Sequence, residues 1–330
     1  MVRVDGRIVT SILHVSGLGW SGSGAVIDHL LDADRFLSLK GKTHAVSESR
    51  LFSGRPAIPD LMASLGSISP ADLLALWTAG TRLDSTMPVS SRVQRFLRRT
   101  ATTHAINRKV FLKVADDRLW VAAEVASAEI NRDAPAHRPA SYIRSTYTAM
   151  RSVLGGSSHH LLIDNDPGAT ARIDHHLAAD PEVQFVVVIR DPADQYIDRR
   201  AKTHIDAPVT VDVVRTFVSA ARRRSELRAV VHATTMNPGR VLIVRFERFV
   251  SDREYRERLL DHVFAAFDEQ PPAVQERRFV PERSAPNIGL VGAARDRLAL
   301  ALYRTICHGA HEHAEGLSDP EQWQSPPGVH

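Results

Sequence analysis

Short apolar runs alternate with stretches of helical periodicity along most of this chain. Ile8–Ser16, His159–Asp164, Gln184–Ile189 and Val241–Phe246 are rich in β-branched and aliphatic residues, and Thr43–Ser47 repeats the pattern more weakly. Runs of this length without polar alternation predict parallel strands buried on both faces. Between them, residues 23–31, 168–179, 192–202, 209–233 and 252–267 place apolar side chains at helical spacing. The alternation predicts an α/β fold, a three-layer doubly wound parallel sheet with right-handed crossovers. On such sheets a ligand sits outside the carboxyl ends of the strands.

Residues 67–153 break the alternation. Ser69-Pro70-Ala71-Asp72 reads as a helix start, and Pro88, Pro135 and Pro139 punctuate further helical stretches. The expectation is a single domain over 1–316 with a helical insertion at about 67–153. That insertion either covers an acceptor pocket or packs without touching ligand. Pro320, Pro326, Pro327 and Gly328 predict a disordered tail over 317–330.

The first apolar run leads into GLGWSGSG, residues 17–24, and a helix begins near Ala25. Strand, small-residue loop and helix in that order form a phosphate cradle. Glycines let the backbone wrap an anion, successive N–H groups converge, and the helix N-terminus adds partial positive charge. The expected contacts are Gly19, Trp20, Ser21, Gly22, Ser23, Gly24 and Ala25. Gly17 and Gly22 have P-loop spacing, so the sheet reads as P-loop NTPase-like. Ser23 and Gly24, however, stand where a nucleotide triphosphatase has Lys and Ser or Thr. The groups that bridge the β- and γ-phosphates and hold Mg²⁺ are thus out of place. A phosphorylated ligand fits better than ATP hydrolysis, and a plain glycine turn joining strand to helix is the simpler alternative.

Composition narrows the class. The 330 residues are 43% hydrophobic and 24% charged, ordinary for a globular protein. No apolar run is long enough to span a bilayer and no secretory signal is visible, so a cytoplasmic location without membrane contact is expected. Cys307 is the single cysteine, which excludes an intramolecular disulfide framework. The net charge of +4 carries no argument for nucleic acid. Lys occurs only at 40, 42, 109, 113 and 202, so the basic residues are overwhelmingly Arg, suited to bidentate anion contacts.

A second anion position is expected at QFVVVIRDPADQY, residues 184–196. A buried strand there delivers Arg190 to the carboxyl edge, Asp191 can cap the next helix, and Pro192 suits its first position. A buried Arg needs an anion, either a ligand phosphate or a structural partner in Asp191 or Asp194. This pair of motifs resembles the sulfotransferase family that uses 3′-phosphoadenosine-5′-phosphosulfate (PAPS). In that family the first loop binds the 5′-phosphosulfate, and a strand ending in Arg-Asp-Pro binds the 3′-phosphate. VLIVRFERFV at 241–250 is similar to the family's late strand with its Phe-Glu segment. FVPERSAPNIG at 279–289 is similar to the loop that closes over the nucleotide, which implies Ser284 and Asn287 as nucleotide contacts. The resemblance covers about 8–60 and 155–290.

Two positions depart from the family. Trp20 replaces the Lys or Arg that often precedes Ser-Gly, so another cation must stabilise the bridging oxygen, and Arg50 is the candidate. Trp20 could instead stack on adenine or line the acceptor pocket. Asp198 stands where the family often has Ser for the 3′-phosphate. A carboxylate beside a phosphate repels it, so Asp198 is expected to turn away or to pair with Arg199 or Arg200.

Sulfuryl transfer, like phosphoryl transfer, depends on positioning, charge stabilisation and one base at the acceptor. Glu48, after the weak strand, is the first candidate, with an exposed turn residue as its alternative. His44, His104, Asp164 and Asn165 are further candidates for the pocket, whereas His14 reads as a core residue. Arg92, Arg95 and Arg99 share a helix face that either holds an anionic acceptor or is solvated. His311-Glu312-His313 lacks the spacing of a helical two-His site, so no metal is expected. The implied reaction takes PAPS to a hydroxyl or amine of a small-molecule or carbohydrate acceptor. A P-loop small-metabolite kinase and a non-catalytic nucleotide-binding protein are the competing readings.

Overall fold

The computed structural model describes residues 3–4, 7–8, 11–18, 21–38, 48–49, 51–53, 57–78, 88–103, 109–110, 117–154, 160–164, 166–203, 209–290 and 297–323. Five strands, β1 (Ile12–Gly17), β2 (Phe36–Ser38), β3 (His160–Asp164), β4 (Val183–Ile189) and β5 (Val241–Arg245), form one parallel sheet in the order β2-β3-β1-β4-β5. Helices flank it, as the alternation predicts. All seven residues of β4 are buried, which explains the apolar run Phe185–Ile189 within it. Among the described residues no helix is long and apolar enough to cross a membrane.

Several expected elements differ in extent. The run Ile8–Ser16 is broken: Arg7–Ile8 pairs antiparallel with Arg3–Val4, and only Ile12–Gly17 joins the main sheet. Residues 168–179 form two short helices, Pro167–Thr170 and Ile173–Ala179, because Arg172 leaves the helical region at φ −142°. Thr43–Ser47 lies outside the described residues. β2 escapes the sequence pattern because it has only three residues.

The chain forms two compact units, Met1–His14 with Arg35–Gln184, and Val15–Asp34 with Phe185–His330. In the first, β2 and β3 pair in parallel, with Phe36 opposite His160. The helical segment comprises α1 (Pro70–Thr78), α2 (Ser91–Thr103), α3 (Asp117–Arg132) and α4 (Arg138–Leu154). The expected helix start at Ser69 is a reciprocal cap. Its hydroxyl accepts from Asp72 N (3.1 Å), and the Asp72 carboxylate accepts from Ser69 N (3.1 Å). Buried Asp166 holds the 51–53 segment, accepting from Phe52 N at 2.9 Å and from the Ser53 hydroxyl.

His14 is buried beside Tyr147 and His176. Its Nε2 lies 2.8 Å from the Tyr147 hydroxyl, which also bonds His176 Nδ1. Burial pushes the His14 imidazole down to about 3 and holds His176 well below its usual value. In the second unit His29 is likewise lowered to about 4, by burial first and by Arg256 second. Folded imidazoles below 6.5 bind fewer protons than unfolded ones at mildly acidic pH. Their stabilisation is therefore complete above about pH 6.5 and is lost as pH falls toward 4, at about 1.4 kcal/mol per pH unit for each group. Urea unfolding midpoints should drop steeply from pH 7 to pH 5, and a flat profile would show that these side chains do not stay neutral.

In the second unit β4 and β5 pair in parallel, with Phe185 opposite Val241. Its main helices are α5 (Ser23–Asp32), α6 (Pro192–Thr203), α7 (Val209–Met236), α8 (Arg253–Ala265) and α9 (Arg297–Gly316). α9 buries Ala299, Leu300, Tyr303, Cys307, His311 and Ala314, a helical stripe not singled out in the sequence. Residues 317–323, expected to be disordered, are folded. The Ser318 carbonyl accepts from the Tyr255 hydroxyl at 2.9 Å, and Trp323 packs on Tyr255 and His262. A buried indole supplies the apolar anchor that the Pro-rich composition conceals.

Candidate functional site

The loop after β1 is shaped by two glycines. Gly22 has φ +85°, a left-handed conformation that L side chains rarely adopt. A Cβ there would lie 2.2 Å from Cδ2 of Phe246, so the backbone passes directly over that ring. A Cβ on Gly17 would lie 1.7 Å from the Ser21 hydroxyl, which is folded back across the loop. Ser21 is 1% exposed, and its hydroxyl has no hydrogen-bond partner among the described residues. α5 then opens without a side-chain cap and without an acidic residue in its first turn. The leading N–H groups of such a helix lack intrahelical acceptors and carry partial positive charge, an arrangement able to hold an anion. Ser23 is buried, Ala25 is half-buried and donates to Gly22 O at 3.0 Å, and Gly24 is exposed. Gly19 and Trp20 lie outside the described residues.

The side chains that hold this loop carry no local sequence signal. Gln195 on α6 donates to the Leu18 carbonyl at 3.0 Å, and nothing in its neighbourhood along the chain marks that role. The far end of α5 is fixed by Asp32, whose carboxylate accepts from the backbone N–H groups of Arg277, Arg278 and Phe279.

Arg190 follows β4, the neighbour of β1. Asp191 caps α6 as expected, accepting from Ala193 N at 2.7 Å and Asp194 N at 3.1 Å. Glu247 accepts from Asp191 N at 2.8 Å, which gives the Phe-Glu segment a bracing role. Asp194 accepts from Gly289 N at 2.6 Å and so ties down the 279–289 segment.

Neither acid expected to pair with Arg190 does so. Its Nη1 bonds Asp198 Oδ2 at 2.8 Å, its Nη2 donates to the Asn287 carbonyl, and its guanidinium lies 5.4 Å from the Phe246 ring centre. Asp198 therefore does not turn away from Arg190, and the side chains of Arg199 and Arg200 lie outside the described residues. Two helical turns into α6, it points back to the strand end from which Arg190 emerges. Ser284 closes a short helix, Pro281–Ser284, and Asn287 ends the 3₁₀ turn after it, so both stand on the segment that covers Arg190.

Glu48 and Ser49 form a two-residue strand paired in parallel with Lys109–Val110, separate from the main sheet. Thr43–Ser47, the strand expected to lead into Glu48, lies outside the described residues, and β2 at 36–38 stands at the edge of the main sheet beside β3. Its side chain, and Arg50, His44, His104 and Asn165, lie outside the described residues. Asp164 ends β3. Arg92, Arg95 and Arg99 are exposed on α2, with Arg92 donating to the Ser64 carbonyl. His311 is buried beside Glu315, 3.4 Å away.

Comparison with known proteins gives one family. The model described as the sulfotransferase family matches residues 73–269, more than half of the chain. The match takes in the helical segment that the motif resemblance leaves uncovered, together with Arg190 and Glu247. It stops short of both the 17–24 loop and the 279–289 segment. No curated protein matches the chain.

Proposed function

We propose, since the chain belongs to the sulfotransferase family, that it moves a sulfuryl group from PAPS to a hydroxyl or amine of a small-molecule or carbohydrate acceptor. The observation that carries the donor assignment is the loop. Buried, unpartnered Ser21, left-handed Gly22 and the uncapped start of α5 together make a cradle suited to a 5′-phosphosulfate. The cradle carries no Lys at 23 and no hydroxyl at 24, so no Mg²⁺-triphosphate chemistry is attached to it. Phe246 underlies Gly22 and Arg190 alike, which supports one continuous nucleotide site along the ends of β1, β4 and β5.

In this reading PAPS supplies the activated sulfuryl group. The loop N–H groups and the Ser21 hydroxyl hold its 5′ end, and Ser284 and Asn287 belong to the closing segment. Glu48 takes the acceptor proton, and Arg50 supplies positive charge at the bridging oxygen as sulfur departs.

Thermal unfolding with adenosine 3′,5′-bisphosphate, ADP and ATP-Mg²⁺ tests the donor class. The bisphosphate should raise the melting temperature in the presence of a chelator, because ligand bound only to the folded state stabilises it by mass action. A rise with ATP-Mg²⁺ alone would replace this reading with a kinase.

A further inference from the structure

We propose that Asp198 is a built-in counter-anion for Arg190, so that the protein fills its own second anion position and selects the donor through the 5′ end. The inference rests on the sulfuryl-donor reading and narrows it: a 3′-phosphate adds little to binding, and adenosine 5′-phosphosulfate serves nearly as well as its 3′-phosphorylated form.

The Arg190 side chain is 1% exposed and that of Asp198 10% exposed. A guanidinium so deeply buried needs an anion, and here the fold provides one at 2.8 Å, together with the Asn287 carbonyl and the face of Phe246. Two of its three nitrogens, Nη1 and Nη2, are therefore engaged before any ligand arrives. A phosphate brought to the same guanidinium would meet the Asp198 carboxylate at close range, and like charges in a poorly solvated site oppose each other strongly. The phosphate would also compete with the Asn287 carbonyl. That carbonyl is held in place because Gly289 N, two residues on, bonds Asp194.

The 17–24 loop differs in having no carboxylate of its own at the helix start. Its Ser21 hydroxyl is buried and unpartnered among the described residues, and no carboxylate enters the first turn of α5. One end of the site thus remains able to accept an anion, and the other carries its own.

Titration calorimetry of adenosine 5′-monophosphate and adenosine 3′,5′-bisphosphate provides the test, on the full chain and on Asp198→Asn. The parent should bind the two nucleotides with affinities less than about tenfold apart. Asp198→Asn keeps the shape and removes the charge. It should bind the bisphosphate about ten- to a hundredfold more tightly, the range of one charge-assisted hydrogen bond, and leave the monophosphate unchanged. Preference of the parent for the bisphosphate by tenfold or more would overturn the inference while leaving the donor reading intact. So would a folded Asp198→Asn with no gain. The parent's ratio decides alone if the variant does not fold. Failure of the parent to bind either nucleotide would bring down the donor reading and this inference together.

Discussion

Gly22→Ala is expected to destabilise the protein by about 2–5 kcal/mol and to abolish nucleotide binding in whatever fraction stays folded. Two costs add. Holding an L residue in the left-handed region costs about 1–2 kcal/mol, and overpacking a filled site costs about 1–3 kcal/mol. Both apply, because Gly22 has φ +85° and its missing Cβ would lie 2.2 Å and 2.3 Å from two ring carbons of Phe246. The ring cannot retreat freely: Phe246 is buried, and Arg190 stacks on it. Relief by moving the loop would turn the first N–H groups of α5 away from the anion position. Gly24→Ala is the control, because a Cβ there would meet no atom within 4 Å and the residue is exposed. Its stability should stay within about 0.5 kcal/mol of the parent. Urea denaturation of both variants checks the contrast, and equal stabilities would mean that the loop tolerates a side chain at 22.

Glu48→Gln is expected to slow turnover by about 10²–10⁴ while leaving nucleotide affinity nearly unchanged, as for loss of one general base. The substitution keeps size and hydrogen bonding and removes only the proton acceptor. The backbone around Glu48 is suited to a positioned residue. Glu48 pairs with Lys109 across a short ladder, and the segment just after it is pinned at three places. Tyr142 donates to the Leu51 carbonyl at 2.8 Å, Phe52 N donates to Asp166 at 2.9 Å, and the Ser53 hydroxyl accepts from Gly168 N at 2.7 Å. Arg50→Ala should slow turnover as well, if Arg50 supplies the cation that Trp20 does not. Transfer from labelled PAPS to a panel of hydroxyl and amine acceptors measures both. Turnover of Glu48→Gln equal to the parent's would remove Glu48 and direct the test to His44, His104 and Asp164.

The main sheet was legible where burial leaves a long trace. β4 carries the apolar run Phe185–Ile189 and β5 the run Val241–Val244, and the loop between β1 and α5 announces itself by glycine spacing. Local chemistry was also legible at Ser69–Asp72 and Asp191–Pro192, where capping depends on residues a few positions apart. What escaped depends on partners distant in sequence. Three-residue β2 is a strand through its pairing with β3, and Gln195 matters because it reaches Leu18, 177 residues away in sequence. The Arg190–Asp198 pair was missed for a related reason. Sequence proximity favoured Asp191 and Asp194, yet one is consumed as a helix cap and the other by Gly289. The fold of residues 317–323 rests on Trp323, a single anchor among residues that otherwise read as a tail.

The central claim is that the 17–24 loop receives the 5′ phosphate of the donor nucleotide. A crystal structure of the protein grown with adenosine 3′,5′-bisphosphate and a metal chelator tests it most directly. The expected result is a 5′-phosphate within about 2.7–3.2 Å of backbone N–H groups in residues 21–25 and of the Ser21 hydroxyl. A nucleotide bound with its 5′-phosphate elsewhere, and this loop making no contact with it, would contradict the claim.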